Sequence, residues 1–453
     1  MLNRVRGGIA TASLQTANRF VAEEPRIQRH DRVGSPSDIL LANRLTQGSK
    51  SSHGRTLEDS EVRLVKEQPK PHVWVFCPQL GAASEPWLWR QVVGMKRFRC
   101  SVITAEHHNT DDYPTYGITV VEDPLVRPPE IGMGRWVHRF KKLPSLNFFG
   151  LDNQTMKRYL SIANSQPPSV FLCHFGHIAV RFVPLARQLN VPLVAHFHGM
   201  DLSSSMRNRW YRWSLSRVID QFDAIVVVGT HQRDLIESMG FPASRLHQIP
   251  CGVPIEDFPL VQPERSHPRT RFVTVSRLVP WKGVDVSLRA FAAVCSRGVE
   301  ADLHIVGDGP QRPELQEIAL REDVADRVVF HGSLPQERVK QQLRGSDVFL
   351  QHSIEYDGWI EGFGVSITEA SASGLPVVVS DCGGITDQVI DGVTGFVVRQ
   401  RDVVSMANRM HQLATDSELR RTLGVTGRRH VKEMFNAQEQ IKSLEQVLMD
   451  VMR

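Results

Sequence analysis

The sequence predicts an α/β protein with two tandem doubly wound, Rossmann-like domains that face each other across a cleft. Two series of short apolar runs alternate with helical patterns, the first within residues 73–228 and the second within residues 271–398. This alternation is typical of parallel sheets that helices cover on both faces. A proline-rich, weakly patterned stretch, residues 252–270, separates the two series. Because ligands bind at the carboxyl ends of the strands in such sheets, we expect the functional site between the domains.

The strands are recognised as short apolar runs bounded by turn residues. A final helix, near residues 436–452, carries Ile441, Leu444, Val447 and Leu448 on one face. We expect this amphipathic helix to pack back across the first domain. The predicted strands are residues 73–77, 100–104, 117–121, 169–173, 192–197 and 224–228, then 271–275, 302–306, 327–330, 347–351, 376–379 and 395–398.

The domain boundaries follow from these changes in pattern. Residues 1–68 are polar, lack a sustained period and are predicted to be a disordered or loosely attached extension. Their arginine and serine content leaves a transit peptide open, although the acidic residues among them argue against one. The other predicted segments are a first domain at 69–255, a linker at 256–270, a second domain at 271–435 and a terminal helix at 436–453.

The composition is that of an ordinary globular chain of 453 residues, with 41% apolar and 23% charged residues. No apolar run reaches the length of a membrane span, and residues 1–20 lack a secretory signal, so we expect a cytoplasmic protein. The six scattered cysteines include no CxxC pair, which favours buried thiols over disulfides or a zinc site. A net charge of +5 is too small to indicate a nucleic-acid partner.

The segment 361–370 is the most informative stretch of the chain. It places Glu361 and Glu369 eight positions apart, with Gly362 and Gly364 between them, followed by a run that we interpret as the start of a helix. The exposed amides of a helix N-terminus bind anions, and glycines let a ligand approach the backbone. Such a site suits a phosphate with hydroxyl groups on either side. Alternatively, Glu361 compensates the helix dipole and Glu369 is a solvated helix residue.

Two further motifs of the second domain follow strands. Arg277 and Lys282 lie five positions apart just before a helix, where two cations suit a diphosphate, although a solvated basic loop is the alternative. The turn at residues 307–310 lacks the third glycine of a dinucleotide fingerprint. The chain has neither a Walker A motif nor a D-x-D triplet. We therefore expect no metal ion, because the two cations could neutralise a diphosphate.

Histidines mark the strand ends of the first domain. His198 and Asp201 follow one predicted strand, and His174 and His177 follow the strand before it. A cluster of histidines invites a metal interpretation, but these residues come from two strands and lack a carboxylate at diagnostic spacing. We interpret His196, which alternates with His198, as structural.

Together these motifs resemble the retaining glycosyltransferases of family 4, which have the GT-B fold. The resemblance covers the chain from about Val73 to its end and is strongest at residues 271–398. Five motifs in the family's order carry more weight than any one of them. They are H-G-x-D at 198–201, S-R-L-x-x-x-K-G at 276–283, G-x-G-P at 307–310, E-x7-E at 361–369, and the run 370–378 with Gly383-Gly384-Ile385.

The resemblance implies a role for each matching residue. Arg277 and Lys282 would hold the pyrophosphate of a nucleotide-sugar donor, Glu369 the ribose, and Glu361 the donor sugar. His198 would lie near the anomeric carbon or a hydroxyl of the donor. The implied catalytic residues are His198, Glu361, Arg277 and Lys282, and His174 and Asp201 would lie on the acceptor side. The implied donor-binding residues are Gly81, Arg277, Lys282, Gly307, Gly309, Leu334, Glu361, Gly362, Phe363, Gly364, Val365 and Glu369.

The implied reaction is a transfer of a hexose from a UDP- or GDP-sugar with retention of configuration, without a metal ion or another cofactor. The departing phosphate would help to deprotonate the acceptor. The local sequences at residues 357–362 and 174–176 most resemble those of the bacterial exopolysaccharide branch of the family. They imply a glycan or lipid-linked acceptor and a role in cell-surface polysaccharide synthesis. The loop at residues 81–87 and the pair Asp387-Gln388 differ from the sequences common in the family at these positions. Neither difference removes a charge that the mechanism requires.

Two basic, tryptophan-containing segments, residues 206–213 and 135–142, raise the question of a membrane partner. On a helix, Met206, Trp210 and Trp213 would share one face among arginines. This face could lie on an anionic membrane, which would make the protein peripheral on the inner side. It could equally be an aromatic stripe that faces the core, or a wall of an acceptor cleft.

Two rival functions stay open. The first is another GT-B enzyme, either a sugar-nucleotide epimerase or a phosphorylase, although a phosphorylase needs a longer chain and a lysine for pyridoxal phosphate. The second is a catalytically idle protein that only binds nucleotide sugars or glycans. The presence of both glutamates, the Arg277–Lys282 pair and His198 disfavours it.

Overall fold

The computed structural model describes residues 27–28, 69–82, 85–126, 150–260 and 268–453. Most of the predicted extension, part of the linker and the basic segment 135–142 lie outside these residues. Within them the chain forms two α/β domains, each built on a mostly parallel sheet. The predicted fold class is confirmed.

The first sheet has eight strands in the order β1-β4-β3-β2-β5-β6-β7-β8. The strands β2 to β8 are parallel, whereas β1, which lies inside the predicted extension, pairs antiparallel with the edge strand β4. The order reverses between β2 and β5, so a crevice opens at their carboxyl ends. The strands are β1 (Ile27–Gln28), β2 (His72–Leu80), β3 (Arg99–His107), β4 (Thr119–Glu122), β5 (Val170–His174), β6 (Leu193–His196), β7 (Ala224–Val227) and β8 (Leu246–Gln248).

The second sheet has six parallel strands in the order β11-β10-β9-β12-β13-β14. Its switch point lies between β9 and β12, which is the order of a dinucleotide-binding fold even though the glycine fingerprint is incomplete. The strands are β9 (Thr270–Val275), β10 (Ala301–Val306), β11 (Val328–Gly332), β12 (Val348–Gln351), β13 (Val377–Ser380) and β14 (Phe396–Val398).

Helices cover both faces of each sheet. In the central strand β2, Trp74 and Phe76 join one apolar cluster while Val73 and Val75 join the cluster on the opposite face, and all four are buried. Burial on both faces explains why the strands are continuous apolar runs rather than alternating ones. Among the described residues the α-helices are α1 (Pro86–Gly94), α2 (Asn153–Ser165), α3 (Gly176–Leu189), α4 (Arg209–Val218), α5 (Thr230–Ser238), α6 (Val284–Cys295), α7 (Arg312–Arg321), α8 (Gln336–Arg344), α9 (Val365–Ala372), α10 (Val403–Thr415), α11 (Ser417–Met434) and α12 (Ala437–Asp450).

The last helix, α12, belongs by packing to the first domain. Leu444 and Leu448 are fully buried in the cluster that contains Val73 of β2. The Glu445 carboxylate, also buried, accepts a 2.6 Å hydrogen bond from the Arg97 amide after α1. The chain therefore crosses between the domains twice, which restricts how far the two sheets can separate.

Candidate active site

A cleft of about 830 Å³ lies between the carboxyl edges of the two sheets, and residues of both domains line it. The first domain contributes the segments after β2 and β6, and the second contributes those after β9, β10, β11 and β12. Parallel strands bring these loops together because all their carboxyl ends meet at one edge. The cleft lining includes most of the predicted residues: His198, Arg277, Lys282, Gly307, Leu334, Glu361, Gly362, Phe363, Gly364, Val365 and Glu369.

Glu361 lies in the loop before α9 and forms an ion pair with Lys282. Its Oε2 also accepts hydrogen bonds from Ser353 Oγ at 2.9 Å and Gln351 Nε2 at 3.4 Å. The Glu361 and Lys282 side chains are only 12% and 15% exposed. Charged groups that are so little solvated need partners, so this network holds a carboxylate and an ammonium group ready at one point of the cleft.

Glu369 lies one turn into α9, and its side chain is 6% exposed. Its Oε1 accepts hydrogen bonds from Gln336 Nε2 at 3.0 Å and from Arg90 Nη2 at 3.3 Å. Burial raises the pKa of this carboxyl, and the Arg90 guanidinium partly opposes the rise. Arg90 comes from α1 of the first domain, so its ion pair with Glu369 joins the two domains.

Sequence reasoning missed Arg90, Gln336 and Glu85. Arg90 is 279 positions from Glu369, so no local motif could connect the two. Glu85 lines the cleft beside the first turn of α1, and burial raises the pKa of its carboxyl while Gln79 and Arg277 lower it. Among the described residues its Oε2 has no hydrogen-bond partner. The implied donor-binding role of Gly81 and the departure from the family at residues 81–87 point to this segment but not to Glu85 itself.

The N-terminus of α9 faces the cleft between the two carboxylates, with Gly364 as its N-cap and no side chain capping it. The first turn presents the amides of Val365 and Ser366. The nearby Gly362 serves the contact between the domains: an added Cβ would lie 2.0 Å from the backbone oxygen of His198. The glycine predicted to admit a ligand thus also lets the backbones of two domains touch.

Two polar contacts also join the first domain to the second near the cleft. The Asp387 carboxylate accepts a hydrogen bond of 2.7 Å from the Thr230 amide at the start of α5. Arg207 of the first domain pairs with Asp357 of the second and also donates to its backbone oxygen at 2.8 Å. Asp387, which differs from the residue common in the family at this position, thus caps helix α5 of the opposite domain.

His174, His196 and His198 form a buried group below the floor of the cleft. His174 Nδ1 and His198 Nε2 lie 3.0 Å apart, and the His198 ring packs against Trp87 with centroids 4.2 Å apart. Burial lowers the pKa of all three imidazoles, that of His196 to about 3. The rings are therefore neutral near physiological pH, and His198 reaches the cleft as a hydrogen-bonding group rather than as a cation.

The nitrogen atoms of these three rings lie within 4.8 Å of one another, so the group could hold a metal ion. Neutral imidazole is the form that binds a metal. The group contains no carboxylate, but three histidines alone can bind a zinc ion with a water molecule as the fourth ligand. The expectation of a metal-independent site stays a prediction.

Four predicted residues lie outside the cleft lining. Asp201 is fully buried and accepts hydrogen bonds from the amides of His198 and Gly176, and burial raises its pKa to about 6. His174 lies beneath His198. Gly81 and Gly309 have positive φ, and an added Cβ would lie within 2.4 Å of a backbone oxygen at each. These four residues shape the loops that carry the site.

Two domains whose parallel sheets present cations, carboxylates and a helix N-terminus to one shared cleft form the architecture of GT-B glycosyltransferases. Two family models match: "Glycosyl transferases group 1" over residues 261–430 and "Glycosyltransferase Family 4" over residues 95–257. The chain belongs to glycosyltransferase family 4.

Individual relatives agree with this membership. The chain is 33% identical to a GDP-mannose-dependent alpha-(1-6)-phosphatidylinositol monomannoside mannosyltransferase of Mycolicibacterium smegmatis, over 54% of this chain and 67% of the relative. It is 28% identical to the putative colanic acid biosynthesis glycosyltransferase WcaL of Salmonella typhimurium, over 70% of this chain and 80% of the relative. The fold is similar to that of Anabaena Alr3699/HepE in complex with UDP, with a TM-score of 0.66 at 16% identity, over 84% of this chain and all of the other.

We expect Gly362→Ala to reduce turnover by at least about 100-fold, because a misplacement of about 1 Å can cost that much. The methyl group would push the segment that carries Glu361 away from the first domain. Kinetics with the purified variant checks this. Gly345→Ala is the control, since Gly345 has φ −85° and ψ 11° and lies after α8, outside the cleft lining. Equal activity of the two variants would contradict the importance of this backbone contact.

Proposed function

We propose that the cleft binds a nucleoside diphosphate sugar and transfers its hexose, with retention, to a glycan or lipid-linked acceptor in cell-surface polysaccharide synthesis. The observation that supports this most directly is the arrangement around α9. Its N-terminus lies between Glu361, paired with Lys282, and Glu369, held by Gln336 and Arg90. Anion-binding amides between two carboxylates match a diphosphate between two groups that carry hydroxyls.

The donor would lie along the cleft in one direction. The base would contact Leu334 and the ribose hydroxyls would donate to Glu369, which Gln336 of α8 also contacts. The diphosphate would lie against Arg277, Lys282 and the first amides of α9, and the sugar would reach Glu361. One similar protein is GDP-mannose-dependent and another is in complex with UDP, which supports a nucleotide donor and leaves the base open.

The proposed chemistry needs no nucleophile from the protein. The bond between the anomeric carbon and the phosphate oxygen breaks, and its electron pair leaves with the diphosphate. The acceptor oxygen bonds to the carbon on the same face and passes its proton to the departing phosphate. Arg277, Lys282 and the α9 amides would stabilise the charge that develops on the phosphate, in place of a metal ion. Neutral His198 would hydrogen-bond near the reacting carbon.

The rivals remain a GT-B epimerase or phosphorylase and an idle binder. An epimerase would release free sugar without an acceptor, and an idle binder would bind nucleotide without turnover. The Glu361–Lys282 network keeps a cation at the position where the diphosphate would leave, which disfavours the idle binder. Detection of a glycosylated acceptor rather than free sugar distinguishes transfer from epimerisation.

The first test is a thermal-shift screen of the full chain with UDP, GDP and their glucose and mannose conjugates, with magnesium or with EDTA. A ligand at 100 times its Kd stabilises the folded state by about 2.7 kcal/mol. We expect a clear rise in Tm with one nucleotide class that is the same in EDTA. No rise with any nucleotide would overturn the proposal, and a rise abolished by EDTA would overturn the metal-free site.

We expect Lys282→Ala to lower kcat by about 100-fold to 1000-fold, as the loss of one preorganised charge partner of a transition state typically does. Lys340→Ala is a matched control, because Lys340 is also a poorly exposed, ion-paired lysine of the second domain but lies outside the cleft lining. Circular dichroism compares the folding of both variants. Normal turnover in folded Lys282→Ala would refute the diphosphate assignment.

The role of Glu369 predicts a pH dependence. Burial raises the pKa of this carboxyl above its ordinary value of 4.5. The ionised form accepts stronger, charge-assisted hydrogen bonds from the ribose hydroxyls than the protonated form does. Nucleotide affinity should therefore fall as the pH drops through the raised pKa. In Glu369→Gln the nucleotide affinity should be about tenfold to 100-fold weaker, because a charge-assisted hydrogen bond is lost. The affinity of this variant should also no longer fall as the pH drops through that range. Calorimetry across pH measures both, with exposed Glu337→Gln of α8 as the control.

We also propose that helix α4 lies on an anionic membrane surface. Trp210 and Trp213 are 41% and 37% exposed, and Arg209 and Arg212 are exposed beside them, whereas Met206 packs against the core rather than sharing their face. No helix among the described residues is long and apolar enough to cross a membrane. Aromatic and basic side chains together suit the interface of a bilayer.

Co-sedimentation with vesicles tests this surface. We expect the protein to bind vesicles rich in phosphatidylserine at low salt and to be released by high salt, because each basic residue contributes about 1 kcal/mol near such a surface. The double variant Trp210→Ala/Trp213→Ala should sediment less, while Leu320→Ala, which removes an exposed apolar side chain of the second domain, should not change binding. Equal sedimentation of the wild type, the double variant and Leu320→Ala would exclude α4 as the membrane-binding surface.

A further inference from the structure

Two tryptophans form a stack in the cleft that none of the sequence motifs explains. The rings of Trp281 and Trp359 lie parallel, with centroids 4.3 Å apart and an interplanar angle of 4°. Both side chains are only partly buried, and both line the cleft. Trp281 directly precedes Lys282, and Trp359 lies two positions before Glu361. The stack is therefore attached to the same two segments as the proposed catalytic ion pair.

Backbone contacts hold the stack in place. The Trp281 backbone oxygen accepts a hydrogen bond of 2.9 Å from the Ile354 amide, and the Trp359 amide donates to the Tyr356 oxygen at 2.8 Å. The guanidinium carbon of Arg277 lies 5.8 Å from the centroid of the Trp281 ring. Large rings held this way offer a preorganised surface and lose little conformational entropy when a ligand binds.

The location of the stack indicates which substrate it would contact. The proposed donor runs from Leu334 and Glu369 at the nucleoside end to Lys282 and Glu361 at the sugar end. The loop of Trp359 reaches the first domain through the Arg207–Asp357 ion pair. Both rings line the cleft, and each is attached to a segment that carries one partner of the Lys282–Glu361 pair. We therefore assign the stack to the sugar end of the cleft, where the acceptor must approach.

We propose that the Trp281–Trp359 stack is the platform on which a pyranose ring of the acceptor glycan lies. A pyranose carries apolar C–H groups on its faces and hydroxyls around its rim. An aromatic surface covers the C–H face, while polar groups of a cleft can bind the rim. This inference rests on the proposed function, because it names the acceptor of that same site as a sugar ring rather than a non-sugar alcohol.

Saturation-transfer NMR on the full chain tests the platform. The probes are the methyl α-glycosides of glucose, galactose and mannose, each with UDP and with GDP present. We expect transfer to the ring C–H protons of at least one glycoside. In Trp359→Ala the Kd of this glycoside should rise by about threefold to tenfold, which is the typical contribution of an aromatic contact. In Trp359→Phe the Kd should lie between those of the wild type and Trp359→Ala. Tyr116→Ala, which removes an 81% exposed aromatic ring, is the control and should behave as wild type.

The outcomes separate this inference from the proposed function. A wild-type protein that shifts its Tm with a nucleotide but shows no transfer to any glycoside would overturn the platform alone. Equal affinities in the wild type and in Trp359→Ala would do the same. Displacement of the glycoside by a nucleotide sugar but not by the bare nucleotide would assign the stack to the donor sugar and also overturn the proposal. Glycoside binding that survives saturation with the nucleotide sugar and weakens in Trp359→Ala would support it.

Discussion

The close backbone contact between Gly362 and His198 is the constraint on which the cleft depends. There is no room for a side chain at Gly362, because an added Cβ would lie 2.0 Å from the His198 oxygen. This contact brings the carboxyl edge of one parallel sheet against that of the other. The loops that follow the strands then surround a single cleft instead of forming two separate crevices. The ion pairs at Arg90 and Arg207 act across the same boundary.

Electrostatics inside the cleft follows from this approach of the domains. Each of the two carboxylates is poorly solvated and needs a cation, since an unpaired buried charge is costly. Glu361 finds Lys282 within its own domain, whereas Glu369 finds Arg90 in the opposite domain. A ligand that offers hydroxyls to Glu369 would therefore compete with, or share, a contact that joins the domains. Nucleotide binding and the relative placement of the domains would thereby be linked.

Much of the cleft was accessible from local patterns. Glu361, Gly364, Val365 and Glu369 lie within nine positions around one helix start, so helix geometry alone brings them together. Arg90 and Gln336, which local patterns do not predict, meet Glu369 only through tertiary packing. Trp281 and Trp359 lie beside the charged residues Lys282 and Glu361, and only the charged residues carry predicted roles. Nothing in the spacing of the two tryptophans along the chain predicts that their rings stack.

The sequence by itself determined the α/β class, the two domains, the positions of the strands other than β1 and β8, and the strand ends that carry charge, because periodicity and strand-end chemistry are local properties. Only the tertiary structure decided which strand ends face each other, and it placed His174, Asp201, Gly81 and Gly309 outside the cleft lining. It also placed Leu444 of α12, a helix whose amphipathic pattern predicts packing on the first domain, in the core of that domain. These outcomes depend on contacts between residues far apart in the chain, where apolar burial and backbone approach rather than local preference set the geometry.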